Sequence, residues 1–286
     1  MLKDIIDLLA DPVDGTDLHG ADEFTRLVSD SGHSYDVARQ GYVTLAGGAG
    51  LRYSGDDATM IKDRETFLSR GHYAPFVESV THNVDLALDD AGVDDDAAVS
   101  ICEIGAGTGY YLSHTLDAIQ GARGVGIDVS VHAAKHLAKC HPRVGAVVAD
   151  AWARLPLRDD SIDAITVIFA PRNAAEFARV LKAGGQVIVL TADTGPLAEL
   201  REPLGIIDVE KGKVERMIEQ ASGHLRPVTE PQLVEFSMTL DQPSIAAQIG
   251  MSPSARHIHP DLLAQRIAAL PMHMTVTARA KVTRLA

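Results

Sequence analysis

The sequence has few cysteines, no long apolar run and a shortage of positive charge. Two cysteines, Cys102 and Cys140, stand among 286 residues, too few for the disulfide framework of a small secreted domain. No apolar run approaches the roughly 18 residues that a membrane-spanning helix needs. The first residues, from Met1 to Asp4, lack the apolar stretch of a signal peptide. We therefore expect a cytoplasmic protein without a membrane partner.

The charge balance argues against general affinity for nucleic acid. The chain has 26 Lys and Arg against 39 Asp and Glu, which gives a formal net charge of −13. Phosphate binding depends on Lys and Arg that release counterions, so this surface repels phosphate on average. A local basic patch remains compatible with the composition. The hydrophobic fraction, 46%, is ample for a folded core.

The first third of the chain reads as a small module followed by helices. Turn residues separate short apolar alternations up to Leu45, a pattern typical of a β-rich ribbon. The glycine-rich stretch 47–50 predicts a hinge. Helical spacing follows over Ala58–Arg70 and Pro75–Leu88, and the acidic run 89–96 predicts a solvated loop. We expect a module over residues 1–45, a hinge and helix over 46–75 that contribute to the active site, and a catalytic domain over 76–286.

From Ala98 onwards, apolar strands alternate with amphipathic helices, which predicts a parallel sheet covered by helices. The predicted strands are Val99–Ile104, Gly124–Ile127, Val144–Val148, Ala164–Phe169 and Gln186–Leu190. The predicted helices between them are Tyr110–Ile119, Val131–Lys139 and Ala174–Leu181. Two later stretches, Val234–Leu240 and Met274–Val282, alternate with period two and flank a helix over Pro260–Leu270. A Rossmann-like α/β sheet that ends in such an antiparallel hairpin is the class I methyltransferase plan.

A glycine loop joins the first of these strands to its helix. The sequence runs Glu103-Ile104-Gly105-Ala106-Gly107-Thr108-Gly109. Glycines let the backbone turn sharply and approach a ligand, and the following helix adds unpaired N–H groups. Dinucleotides and S-adenosylmethionine both suit such a loop. The dinucleotide fingerprint is G-x-G-x-x-G, so the even spacing and the acidic Glu103 favour S-adenosylmethionine.

Acidic residues follow the next two strands. Asp128 is placed to accept hydrogen bonds from ribose hydroxyls, which supports a nucleoside ligand of either class. Asp150 can accept a hydrogen bond from the adenine amino group; its alternative role is a helix N-cap. The turn Lys182-Ala183-Gly184-Gly185 resembles the turn before the fifth strand of methyltransferases.

The strand Ala164–Phe169 ends in Ala170-Pro171-Arg172-Asn173. In open α/β sheets the chemistry lies beyond the carboxyl ends of the strands, so this segment should face the methyl group. Arg172 and Asn173 are candidates to hold the substrate. A salt bridge for Arg172 and a helix N-cap for Asn173 are the structural alternatives.

The sequence resembles one family over nearly its whole length, the bacterial 23S ribosomal RNA guanine-N1 methyltransferases, which include macrolide-resistance members. The N-terminal string is the most specific match: His33-Ser34-Tyr35-Asp36-Val37-Ala38-Arg39-Gln40-Gly41-Tyr42-Val43-Thr44-Leu45. Further matching segments are Gly55-Asp56, Met60, Arg64, Phe67-Leu68, Gly71-His72-Tyr73-Ala74-Pro75, the glycine loop with Tyr110, and Phe169-Ala170-Pro171-Arg172-Asn173.

The resemblance implies an N-terminal zinc module that helps to recognise RNA, a homodimer, and cofactor contacts by Tyr73, Gly107 and Thr108. The family's zinc ligands are three cysteines and a histidine. The matching positions are Asp11, Asp14, Ser29 and His33, a poor set for structural zinc, which prefers thiolate and imidazole. We therefore expect no zinc, no other metal site, and hydrogen bonds among Asp14, Ser29 and His33 in its place.

Three functions remain open at this point: methylation of guanine N1 in ribosomal RNA, methylation of a small molecule, and cofactor binding without transfer. The lost zinc ligands and the charge of residues 1–75, with seven Lys and Arg against thirteen Asp and Glu, weigh against RNA. N1 carries a proton that must leave, so a general base would help. The candidates are Asp56, Asp57, or Asn173 holding the base while water takes the proton.

Overall fold

The centre of the fold is a sheet of parallel strands that are buried on both faces. The structure, a computed structural model, describes residues 1–48, 50–94, 97–206, 212–252 and 257–286. Its parallel strands are β5 (Ser100–Ile104), β6 (Arg123–Asp128), β7 (Val144–Val148), β8 (Ile162–Ile168) and β9 (Leu181–Ala192). Their nearly continuous apolar sequences are those expected where helices cover both faces. Side chains alternate between two apolar clusters, with Ile188 in one and Val189 in the other.

Nine α-helices are assigned within the described ranges. They are α1 (Ala58–Leu68), α2 (Ala74–Asp90), α3 (Tyr110–Ala118), α4 (Val131–Cys140), α5 (Ala174–Val180), α6 (Ala198–Leu204), α7 (Lys213–Ala221), α8 (Gln242–Gly250) and α9 (Pro260–Ala268). The acidic run begins inside α2, because that helix continues to Asp90; Asp95 and Asp96, like Ala49 of the predicted hinge, lie outside the described residues. No described helix is long and apolar enough to span a bilayer.

Two antiparallel strands complete one side of the sheet. β10 (Gln232–Asp241) pairs with β11 (His273–Leu285), and β11 pairs with β9. The full strand order is β10-β11-β9-β8-β5-β6-β7-β4, in which β4 is Tyr42–Thr44. The parallel sheet with an antiparallel C-terminal pair confirms the predicted α/β fold class. The helices α6, α7 and α8 were absent from the sequence prediction.

The N-terminal segment is divided between two sheets. β1 (Leu18–Ala21), β2 (Arg26–Ser29) and β3 (Ser34–Asp36) form a three-stranded antiparallel ribbon. β4 (Tyr42–Thr44), which the sequence analysis assigned to the same module, instead pairs in parallel with β7 of the main sheet. Its alternating apolar pattern indicates a strand but carries no information about the partner.

The ribbon also shares its core with the catalytic sheet. Leu18 and Leu27 of the ribbon are buried in the same cluster as Val147 and Ile165 of the main sheet. Ile5, near the start of the chain, packs closely against Gly145 of β7, since a Cβ added at Gly145 would lie 2.4 Å from Cγ1 of Ile5. The first 45 residues therefore pack directly against the sheet that carries the glycine loop.

Candidate functional site

The glycine loop turns at the carboxyl end of β5 and leads into α3. Gly105, Gly107 and Gly109 have φ angles of +68°, +55° and +81°, a region in which other residues are strained. A Cβ at Gly105 would also lie 2.5 Å from Cβ of Ala170. The loop therefore lies directly against the segment that follows β8, and its glycines permit that contact.

One pocket collects five of the residues that the sequence analysis proposed for the cofactor. Tyr73, Glu103, Gly105, Gly107 and Thr108 all line it. The other lining residues are Arg64, Leu68, Ala106, Tyr110, Tyr111, Ile168, Phe169 and Met251. Gly109 lies next to the pocket as the N-cap of α3.

Glu103 is a buried acceptor in this pocket. The residue is 1% exposed, and its Oε2 atom has no hydrogen-bond partner among the described residues. Burial raises the pKa of this carboxyl group well above its ordinary value, although a hydrogen bond from the backbone N–H of Leu112 opposes the shift. A buried oxygen without a partner is costly, so the position suits a ligand that donates hydrogen bonds.

Tyr73 closes the pocket from the side of α2. Its ring packs edge-on against Phe67 and Phe76, with centroid distances of 4.9 and 5.1 Å. Its hydroxyl group lies 3.4 Å from the side-chain nitrogen of Gln248, and burial raises its pKa. The ring is thus fixed by aromatic packing and presents an apolar wall to the pocket.

Asp128 and Asp150 follow the neighbouring strands β6 and β7. Asp128 accepts hydrogen bonds from the backbone N–H groups of Gly107 and Ser130, each at 2.8 Å. Burial raises its pKa, and these two bonds oppose the shift. Asp150 accepts one from the backbone N–H of Trp152 at 2.9 Å, while its buried Oδ2 has no partner within the ranges that the structure describes. Neither aspartate lines the pocket that holds Glu103, yet both lie at the same sheet edge.

The hinge carboxylates are engaged in structural contacts. Asp56 forms a 2.6 Å ion pair with Arg64, and its carbonyl oxygen accepts a hydrogen bond from the Ser130 hydroxyl. Asp57 caps α1 by accepting from the N–H groups of Thr59 and Met60. These partners argue against either aspartate as the general base considered in the sequence analysis.

The two substrate candidates after β8 differ in their contacts. The amide nitrogen of Asn173 lies 3.2 and 3.3 Å from the carbonyl oxygens of Ala151 and Ala153 and donates to them. It occupies the N-cap position of α5, but its side chain makes no capping hydrogen bond. Arg172 donates to the hydroxyl of Thr191 at 3.0 Å.

Eight lining residues were absent from the sequence-based site set, and three of them are Arg64, Phe169 and Met251. Arg64 and Met251 reach the pocket from α1 and from the end of α8, and Phe169 reaches it from the end of β8. Arg64 and Phe169 do stand in the segments that carry the family resemblance. Met251 follows α8, a helix that the sequence pattern did not indicate.

Known proteins are similar to this chain both in the catalytic domain and over nearly its whole length. A family model described as "Methyltransferase domain" matches residues 101–185. A "Putative 23S rRNA (guanine-N(1)-)-methyltransferase" of Micromonospora griseorubida is 38% identical, with 99% of each chain covered. A "23S rRNA (guanine(748)-N(1))-methyltransferase" of Streptomyces fradiae is 36% identical, with 95% of this chain and 94% of that protein covered.

The chain belongs to the 23S rRNA (guanine-N1)-methyltransferase family.

The residues of this methyltransferase fit its cofactor, S-adenosylmethionine. The unpartnered oxygens of Glu103 and Asp150 are acceptors that the folded chain leaves available, and the cofactor carries amino and hydroxyl donors. The three loop glycines bring backbone close to the pocket, and Thr108 lies beside them. The fit therefore rests on donor–acceptor complementarity and on the shape of the loop.

The positions that match the family's zinc ligands do not fit zinc in this methyltransferase. Asp11 is fully buried and accepts hydrogen bonds from the Val13 N–H at 2.7 Å and the Tyr35 hydroxyl at 2.9 Å. Its other oxygen lies 2.9 Å from Nδ1 of His33. The Ser29 hydroxyl accepts from the His33 N–H at 2.9 Å. Only His33 offers a ligand that structural zinc prefers.

The hydrogen-bond network at these positions is centred on Asp11, whereas the sequence predicted hydrogen bonds among Asp14, Ser29 and His33. Burial raises the pKa of Asp11, but hydrogen bonds from Val13, Tyr35 and His33 outweigh it and leave the pKa below its ordinary value. Asp14 lies 3.9 Å from the His33 ring nitrogen and accepts from Thr16 instead. Hydrogen bonds from Ser31 and Thr16 lower its pKa to about 2.

Proposed function

We propose that this protein transfers the methyl group of S-adenosylmethionine to N1 of a guanine in 23S ribosomal RNA. The observation that carries the proposal is the 36–38% identity to guanine-N1 methyltransferases over 95–99% of the chain. The pocket at the glycine loop supports it, because the residues that line it suit the methyl donor. When bound, the cofactor supplies an electrophilic methyl group.

We assign the cofactor contacts to residues at three strand ends. Asp128 would accept from the ribose hydroxyls, since each carboxylate oxygen has a second lone pair beyond its backbone hydrogen bond. Asp150 would accept from the adenine amino group through its unpartnered Oδ2. Glu103 would accept from a donor inside the pocket, and Tyr73 would pack against the bound molecule. These roles agree with the rule that ligands of open α/β sheets bind beyond the carboxyl ends of the strands.

The reaction needs positioning more than covalent help from the protein. Holding an acceptor nitrogen in line with a methyl group removes most of the entropic barrier. The acceptor would approach from the end of β8, where Phe169 and Arg172 stand. A guanine that leaves its RNA stack could pack on an aromatic ring there.

We further propose that the protein acts as a homodimer and binds RNA through a restricted surface. The net charge of −13 makes broad electrostatic attraction unfavourable, so binding should depend on a few specific contacts rather than on counterion release at many sites. Light scattering on the purified protein tests the dimer. The salt dependence of RNA binding tests the second point, and a shallow slope is expected.

The function can be tested with purified protein, radiolabelled cofactor and 23S RNA or large ribosomal subunits. Methylation at a single guanine, located by mass mapping, is the expected result. An Asp128→Ala variant assayed in parallel controls for contaminating methyltransferases. Tight cofactor binding without transfer to RNA would contradict the proposal, and turnover on a metabolite pool would instead support a small-molecule substrate.

A further inference from the structure

Arg172 is a half-buried cation without a carboxylate partner in the described part of the chain. One guanidinium nitrogen donates to Thr191, a residue of β9 that is fully buried. Its Nε atom is buried and has no hydrogen-bond partner in that part of the chain. Other arginines do pair with acids: Arg179 contacts Glu176, and Arg279 contacts Asp193.

Such an arrangement is unfavourable without a ligand. Burial lowers the pKa of Arg172 because desolvation disfavours the charged form. A guanidinium group carries five N–H donors in a planar fork, and the contact with Thr191 uses only part of it. The remaining donors suit an electron-rich oxygen that arrives with the substrate.

The neighbouring carboxylates cannot easily serve as the base. Asp56 is paired with Arg64, Asp57 caps α1, and Asp193 contacts Arg279 at 3.3 Å. Asp128 already accepts two backbone N–H groups. These acids are held by protein groups, and the unpartnered oxygens of Glu103 and Asp150 are assigned to the cofactor. By contrast, no acid in the described part of the chain pairs with Arg172.

The chemistry of guanine explains why a cation would be needed more than a base. N1 carries a hydrogen, and its lone pair is delocalised into the C6 carbonyl group. When the proton leaves to water, the negative charge is shared between N1 and O6. A cation at O6 stabilises this anion and lowers the pKa of N1–H.

We propose that Arg172 donates hydrogen bonds to O6 of the target guanine and thereby promotes loss of the N1 proton to solvent. The inference rests on the proposed function. The N1–H bond breaks first and its proton goes to water. The N1 electron pair then forms the bond to the methyl carbon, while the carbon–sulfur bond breaks with its pair on sulfur, leaving a neutral thioether. The anion and the sulfonium cation neutralise each other, so the charges balance.

A phosphate oxygen is the other RNA group that an arginine could bind. The position of Arg172 favours O6, because Thr191 anchors it at the end of β9, next to the segment that packs on the glycine loop. Phosphate contacts on RNA would be expected from exposed side chains, whereas this guanidinium is half-buried at the sheet edge where the methyl acceptor must lie.

The test is the pH dependence of single-turnover methylation at saturating 23S RNA and cofactor, for wild type, Arg172→Met and Arg172→Lys. Removing the cation should lower the rate at neutral pH by about 10- to 100-fold, the range of a charge-assisted hydrogen bond. It should also move the midpoint of the pH–rate profile upwards by roughly one to two pH units, because each tenfold loss in stabilisation of the N1 anion raises the pKa of N1–H by one unit. The lysine variant should recover part of both effects.

Cofactor affinity serves as a control and should be unchanged in both variants, and a cooperative thermal transition establishes that each variant is folded. A lower rate with an unshifted pH profile would overturn the inference, and a reduced salt slope with weaker RNA binding would assign Arg172 to a phosphate. If Arg172→Met does not fold, Arg172→Gln, which also removes the charge, takes its place, and an unshifted pH profile in that variant overturns the inference. Failure of the wild type to methylate RNA would overturn the proposed function, and the role of Arg172 with it.

Discussion

The carboxylate of Asp128 accepts a hydrogen bond from the backbone N–H of Gly107 at 2.8 Å. This contact joins the end of β6 to the middle of the glycine loop, two elements that are separated by the whole of α3. The same side chain also accepts from Ser130. Asp128 therefore shapes the loop in addition to its proposed contact with the ribose.

Replacing Asp128 by alanine should weaken cofactor binding by about 1.5–3 kcal/mol, the value of hydrogen bonds to a charged group. Binding can be followed through the fluorescence of Trp152, the single tryptophan of the chain. The backbone N–H of Trp152 donates to Asp150. Asp36→Ala, at an exposed position on the ribbon, is the matched control. An unchanged dissociation constant would remove Asp128 from the site.

Gly105→Ala should destabilise the loop for two reasons. Its φ of +68° costs a side chain roughly 1–2 kcal/mol, and the added Cβ would lie 2.5 Å from Cβ of Ala170. Gly92→Ala is a close control, because Gly92 has a φ of +66° and no atom within 4 Å of an added Cβ. We expect Gly105→Ala to lose more stability in urea unfolding and to lose activity, whereas equal losses would show that the contact with Ala170 relaxes freely.

Phe169 is expected to stack on the target base. Its side chain is 44% exposed, lines the pocket and packs edge-on against Phe76 at 5.9 Å. Its φ of +52° is unusual for a bulky residue and is the kind of strain that gathers at functional sites. Phe169→Ala should raise KM for RNA by about 5- to 150-fold, equivalent to about 1–3 kcal/mol of stacking.

Phe169→Tyr keeps an aromatic face and should restore KM, which separates stacking from a packing defect. Steady-state methylation of 23S RNA at saturating cofactor measures the effect. A fall in cofactor affinity in the alanine variant, without a change in KM for RNA, would place the ring against the methyl donor instead.

The ribbon should be stabilised by the ionised form of Asp11. Because hydrogen bonds hold its pKa below the ordinary value of 3.8, this contribution is fully present above that value. It is lost as the pH falls through the lower folded value. Asp11→Ala should cost about 1–3 kcal/mol at neutral pH, since it leaves buried donors without an acceptor. Urea unfolding from pH 7 to 2, with Asp36→Asn as the exposed control, measures both effects.

Metal analysis complements this experiment. The purified protein should contain no stoichiometric zinc, whereas a variant with Asp11→Cys, Asp14→Cys and Ser29→Cys, which retains His33, should bind one ion. One zinc per wild-type chain would refute the interpretation of the network as a replacement for the metal.

The sheet and its loop were predictable because their signals are local. Apolar runs and closely spaced glycines belong to single segments, so β5 through β8, the centre of β9 and the loop follow from the chain itself. β9 begins earlier than predicted, at Leu181, and includes the residues 182–185 that were predicted as a turn. Contacts between particular side chains carry no such signal. The ion pair of Asp56 with Arg64 could not be read from spacing, and it changes the interpretation of Asp56 as a base.

The same reason explains the N-terminal differences. The alternation of Tyr42, Val43 and Thr44 predicts a strand correctly, but its partner, β7, lies a hundred residues later. Asp11 appeared only as a lost ligand, because burial is a property of the packed ribbon and not of the residue. Three-dimensional contacts were needed to recognise it as the acceptor at the centre of the network.

The pairing of β4 with β7 also has a consequence for how the protein can be divided experimentally. β4 is the terminal strand on its side of the main sheet, and it satisfies backbone groups of β7 that would otherwise face solvent. Removal of residues 1–45 would turn β7 into an exposed edge strand with apolar residues on both faces. Such an edge is prone to associate with strands of other molecules. A shortened protein should aggregate rather than behave as an isolated catalytic domain.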